Sequence, residues 1–154
     1  MKKLLLLVSL FVVVALTSNM NAQPYASAIG LRLGYPIAAS YKFFVSEPAA
    51  VELYAGIRYD GLNLGGMYQV HKPLSDVDNL YWYFGGGASI SFYSYYVDEN
   101  EVSFGINGVI GLDYTFEDAP INLSIDYMPT FLFGGYYDGY GSYGALSARY
   151  ILGQ

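Results

Sequence analysis

Apolar and polar residues alternate in step along most of this chain, most regularly from Val51 to Val70. Val51, Leu53, Ala55, Ile57 and Tyr59 hold one set of positions, and Glu52, Tyr54, Gly56 and Arg58 hold the other. A strand turns successive side chains to opposite faces, so one face here is apolar throughout and the other carries charge. Asp60-Gly61 suits a two-residue type I′ turn, and beyond it Leu62, Leu64, Gly66, Tyr68 and Val70 alternate with Asn63, Gly65, Met67 and Gln69. A turn on that dipeptide pairs Tyr59 with Leu62, Ile57 with Leu64 and Ala55 with Gly66, matching apolar residues at each rung.

The same period predicts six more strands. The first, about Ala26 to Leu33, sets Ile29, Leu31 and Leu33 against Ala28, Gly30 and Arg32. The second, about Ile37 to Val45, sets Ala39, Tyr41, Phe43 and Val45 against Ser40, Lys42 and Phe44. Residues His71 to Asn79 read as a turn or loop from their Pro, Ser, Asp and Asn content. A fifth strand, about Leu80 to Phe92, contains Gly85-Gly86-Gly87, which is costly in a strand unless a neighbour crowds the backbone or the sheet bends sharply. The sixth spans about Val102 to Tyr114. The seventh spans about Ile121 to Met128, where Pro129 is expected to end regular pairing or mark a bulge. The eighth carries Leu146, Ala148, Tyr150 and Leu152 against Ala145, Ser147 and Arg149.

The strand charges choose between a soluble sandwich and a membrane barrel. Arg32, Lys42, Glu52, Arg58, Asp113, Asp126 and Arg149 all fall on the less apolar face, and none falls on the apolar one. Four bases and three acids nearly cancel, as enclosed charges must if they are to be paired. An even number of strands, an apolar exterior and a nearly neutral ionic interior predict an all-β fold, an eight-stranded antiparallel up-and-down transmembrane barrel. Aromatic residues near the ends of the apolar faces (Tyr59, Tyr68, Phe92, Tyr114, Tyr127, Tyr150) fit interfacial girdles.

The chain's start supplies an address. Met1-Lys2-Lys3 precedes a thirteen-residue apolar run, Leu4 to Leu16, broken only by Ser9; polar residues and Ala22 follow. This is the pattern of a secretory signal peptide, too short to cross a bilayer as a helix. Residues 1–22 are therefore expected to be removed, leaving 23–154 as one outer-membrane barrel domain. That mature part has five basic and thirteen acidic residues, a balance of −8 that disfavours nucleic acid. With no cysteine, a lipid anchor and disulfides are excluded.

Several segments carry a resemblance. Gly30 to Pro36, Gly85-Gly86-Gly87-Ala88, Pro120 to Pro129 and Ala148-Arg149-Tyr150 resemble the small outer-membrane β-barrel proteins of the Bacteroidetes type, and the architecture is similar to OmpA- and OmpX-type barrels. The resemblance implies a barrel and an outer-membrane location, but no chemistry. It also implies outer-membrane lipids and the barrel-assembly machinery as partners. Such barrels usually end on an aromatic residue, whereas Gly153-Gln154 follow Leu152 here.

Candidate chemistry is sparse. His71, the only histidine, is the one plausible base for nucleophilic catalysis, with Ser75 nearby. Its place at the turn after an even strand puts it on the periplasmic side if the N terminus is periplasmic, which disfavours a lipid-modifying enzyme; a turn histidine is the plainer reading. Asp98-Glu99-Asn100-Glu101 lacks the glycine and spacing of a calcium loop and reads as a solvated acidic segment. Asp113 and Asp126 read as members of structural ion pairs. No catalytic residue, cofactor or metal is expected. The loop from Phe133 to Tyr143 offers Tyr136, Tyr137, Asp138, Tyr140 and Tyr143 as a recognition surface, since Tyr with Gly and Ser gives contact area at low entropic cost. The expected function is a monomeric, non-enzymatic structural or surface-interaction barrel with a plugged interior. A narrow pore for small solutes is the alternative.

Overall fold

The computed structural model describes residues 25–58, 61–94, 100–134 and 138–153. The expected leader at 1–22 lies outside these. Eight strands occur in chain order: β1 (Ser27–Gly34), β2 (Ile37–Ser46), β3 (Ala49–Arg58), β4 (Gly61–Pro73), β5 (Leu80–Ser94), β6 (Asn100–Thr115), β7 (Ile121–Phe133) and β8 (Gly139–Gly153). Each pairs antiparallel with the next, and β8 pairs with β1, so the sheet closes into a barrel.

The stagger of this barrel follows from its registers. Taking partners in turn from Ala28, the pairing runs through Lys42, Glu52, Met67, Gly87, Asn107, Thr130 and Gly141. The pairing of Gly34 with Ala145, continued past the end of β1, sets Gly141 level with position 38, ten residues beyond the start. Eight strands with that stagger tilt about 40° from the barrel axis at ordinary strand rise and spacing.

The faces are as the alternation predicts, but several boundaries differ. The last rung of the β3–β4 hairpin joins Arg58 to Gly61, with Ile57 opposite Leu62 and Ala55 opposite Leu64. The register thus differs by two residues from the one an Asp60-Gly61 turn would give. A shift of two leaves every side chain on its own face, so alternation cannot detect it. Gly61 belongs to β4, where a Cβ would stand 2.7 Å from the Tyr93 ring.

Three further expectations are corrected, one of them in part. His71 is a strand residue, because β4 runs on to Pro73 and only 74–79 connect it to β5. Pro129 interrupts regular pairing on the β6 side only, since β7 continues to Phe133 with Pro129 opposite Ser142 on β8. Proline has no N–H to give to a ladder, and on the β6 side the bridges skip from Asn107–Thr130 to Ile110–Tyr127. Gly108 makes room there, since a Cβ on it would be 3.2 Å from the Pro129 ring. The recognition loop is likewise shorter than expected, because β8 begins at Gly139 and pairs residue by residue with β7.

The glycine run of β5 meets the condition set for it. A Cβ on inward-facing Gly87 would lie 2.7 Å from Met67 Cα, and one on Gly85 would lie 2.9 Å from Gln69 Cα. Outward-facing Gly86 has nothing nearer than 3.2 Å. The crowding comes from the β4 backbone, and only the inward side suffers it.

Candidate functional site

Polarity is inverted relative to a soluble protein. Outward positions expose large apolar side chains on every strand, among them Leu31, Ile37, Ile57, Leu64, Phe92, Ile106, Ile125 and Leu146. The lumen holds Arg32, Lys42, Glu52, Arg58, Asp113, Asp126 and Arg149, each at most 6 % exposed.

Six of these seven charges lie in one connected network. Arg32 grips Asp126 with two hydrogen bonds of 2.7 and 2.5 Å, and the Tyr83 hydroxyl donates to the same carboxylate at 2.8 Å. Arg149 donates to Glu52, to Ser40 Oγ at 2.9 Å and to Ser124 Oγ at 2.8 Å. Glu52 also accepts from Gln69 Nε2 at 2.7 Å and stands 3.8 Å from Arg32. Lys42 Nζ reaches Asp113 at 2.7 Å, and Asn122 Nδ2 donates to the other Asp113 oxygen at 2.5 Å. Asn122 Oδ1 in turn accepts from Arg149 at 3.3 Å, joining the two halves.

Every strand contributes a member: Arg32 from β1, Lys42 and Ser40 from β2, Glu52 from β3, Gln69 from β4, Tyr83 from β5, Asp113 from β6, Asp126 and Asn122 from β7, and Arg149 from β8. Three cations face three carboxylates, so the charge of this network balances, and each carboxylate accepts from two side chains. The ionic cross-section is held by its own partners.

The remaining lumen is filled from both directions. Toward the end that carries the termini, Tyr25, Ala28 and Ile151 cluster with Phe44 against them. Tyr25 meets Phe44 edge-on at 5.2 Å, Phe44 lies 5.0 Å from His71, and His71 stacks on Tyr83 at 5.0 Å. Toward the opposite end, Ala38, Tyr54, Met67, Val109 and Met128 pack with Tyr83, and Tyr143 leans on them. Arg58 lies in this half, its guanidinium carbon 4.3 Å from the Tyr143 ring centre and 5.9 Å from that of Tyr35.

The other candidates separate. Tyr136 and Tyr137 lie outside the described residues, as do Asp98 and Glu99. Asp138 is exposed between β7 and β8. Tyr140 and Tyr143, read from the sequence as loop residues, are β8 residues on opposite faces: Tyr140 points outward at 60 % exposure, and Tyr143 packs inside. His71, read as a turn residue, is buried in the lumen with Nε2 3.8 Å from Asp113 Oδ2. The phase that puts Gln69 inside also puts His71 inside, so the signal is there once the strand is allowed one residue beyond Val70. The amide and hydroxyl partners Asn122, Ser40, Ser124 and Gln69 were not singled out. Nothing in composition distinguishes them from other inward polar residues.

What the fold and site define is a closed eight-stranded barrel with an apolar exterior and a charge-neutral polar network across its lumen. No family model, curated protein or solved structure matches the chain.

Proposed function

We propose that this chain is an integral outer-membrane barrel, exported with loss of residues 1–22, whose lumen is closed and whose role is structural or surface-interacting rather than catalytic. The single observation that carries this is the inversion of polarity, with six paired charges inside and a continuous apolar surface outside. Water rewards the opposite arrangement, because burying apolar side chains is the main favourable term of folding. A hydrocarbon surround rewards this one. At a tilt of about 40°, ten residues of strand rise about 25 Å, which matches the apolar band of such barrels.

The proposal extends to a likeness in pattern with small eight-stranded outer-membrane proteins of the Bacteroidetes type. A pore is less well supported, because Tyr54, Met67, Tyr83, Val109 and Met128 meet in the lumen above the ionic layer. A lipid-modifying enzyme is less well supported again. His71 is enclosed by Phe44 and Tyr83, while Ser75 lies in the exposed connection beyond β4.

Fractionation of producing cells tests the reading. The mature protein should sediment with outer membrane, resist urea extraction and migrate differently on gels before and after heating. Recovery as a soluble species would overturn it.

A further inference from the structure

Among the described residues of the lumen, His71 is a buried titratable side chain with no hydrogen bond at either nitrogen, and it is 2 % exposed. Its ring is held between Phe44 and Tyr83, each 5.0 Å away. That clamp aims Nε2 at Asp113 Oδ2, 3.8 Å distant, the oxygen that Lys42 Nζ already holds at 2.7 Å. Titratable and charged groups face this point from every packed element: Tyr25 ahead of β1, Lys42 on β2, Glu52 on β3, Tyr83 on β5, Asp113 on β6 and Arg149 on β8. Gln69, two residues away on β4, is neutral and bonded to Glu52.

We infer that His71 is a proton-operated latch on the closed lumen: neutral, it leaves Asp113 to Lys42; protonated, it closes on Asp113 and draws that carboxylate away from Lys42. The inference rests on the closed-lumen reading above. An ammonium and an imidazolium at one carboxylate oxygen share its charge and repel each other. A protonated His71 also adds a cation to a lumen that already encloses four bases and three acids, and an uncompensated buried charge is costly. Lys42 and Asp113 lie four strands apart in a ring of eight, so their bond joins opposite walls. Loosening it on acidification loosens the link across the lumen. The proton comes from water and returns to it, with no covalent step.

The mature barrel, refolded in detergent with labelled histidine, gives one ring signal to follow against pH. Lys42 is followed in the same samples, and planar-bilayer conductance is recorded at the same pH values. The ring and Lys42 signals should move with one midpoint, and conductance, near zero at neutral pH, should rise across it. His71→Gln and His71→Phe should stay silent over the whole range. A ring that titrates without moving Lys42, or a Gln variant with the parent's profile, would overturn the latch. So would a ring that stays neutral until the barrel unfolds. Steady conductance at neutral pH would instead sink the closed lumen, and the joint movement of ring and Lys42 would then decide the latch alone.

Discussion

Lys42 on β2 and Asp113 on β6 come from opposite walls of the barrel and meet at 2.7 Å. Such a bond ties strands that share no ladder, so it constrains the cross-section in a way backbone pairing does not. Lys42→Met should destabilise the barrel by about 3–5 kcal/mol, because it leaves Asp113 charged and enclosed. Adding Asp113→Leu should restore much of the loss, since Asn122 Nδ2 still reaches Tyr114 O at 3.3 Å and Thr115 Oγ1 at 3.2 Å. Urea unfolding of the two single variants and the pair, closed as a double-mutant cycle, measures this. Additive losses would show that the pair does not act as one unit.

The β5 glycines separate crowding from flexibility. Gly87→Ala should impair folding severely, because its methyl would be driven into the β4 backbone at Met67. Gly86→Ala, one residue away on the outward face, meets only Asn107 O at 3.2 Å and should cost about 1 kcal/mol or less. Yield of the heat-modifiable form reads both. Equal losses would put the cause in backbone freedom rather than in the approach of β4.

How far the fold was legible depends on what alternation can carry. It assigns a side chain to a face, and Arg32, Lys42, Glu52, Asp113, Asp126 and Arg149 are therefore readable as one enclosed set. It cannot tell a strand from the same strand slipped by two, which is why the β3–β4 rung was misplaced. It also fades where glycine and tyrosine fill both faces, as in Gly139 to Gly144, so that part of β8 reads as loop. Partners are harder still. Glu52 and Arg149 lie 97 residues apart in the chain, and only the stagger of the closed ring brings them together. The network's membership could be read from the chain, but its wiring needed the register of all eight ladders.

Arg58, enclosed in the lumen, lies against two tyrosine rings. Its guanidinium lies 4.3 Å from the Tyr143 ring centre, in the half of the lumen away from the termini. Tyr143→Leu should cost about 1–2 kcal/mol through that contact in a desolvated site, and less in an Arg58→Met background. Chemical unfolding of the four members of this cycle measures the coupling. A coupling indistinguishable from zero would mean the stacking contributes packing only.

The orientation in the membrane follows from chain order and strand length. Eight strands put both termini at one end, and export places that end in the periplasm under the proposed reading. The end where β2 meets β3, β4 meets β5 and β6 meets β7 then faces the periplasm, and the end where β1 meets β2, β3 meets β4, β5 meets β6 and β7 meets β8 faces outward. Strand length distinguishes the two ends. β5 to β8 have 15, 16, 13 and 15 residues, whereas β1 to β4 have 8, 10, 10 and 13. The surplus lies mostly at the end away from the termini, because β5 and β6 pair there as far as Ser94 and Asn100 while β1 stops at Gly34. The outer rim is therefore tall on one side, and an external partner should meet β5–β8 first. A cysteine at Asp138, exposed beside that tall side, should react with an impermeant maleimide on intact cells. One at Asp76, exposed in the connection between β4 and β5, should react only after the outer membrane is opened. The reverse labelling would turn the barrel over, put His71 near the outer rim and give the enzymatic reading a reason to be reconsidered.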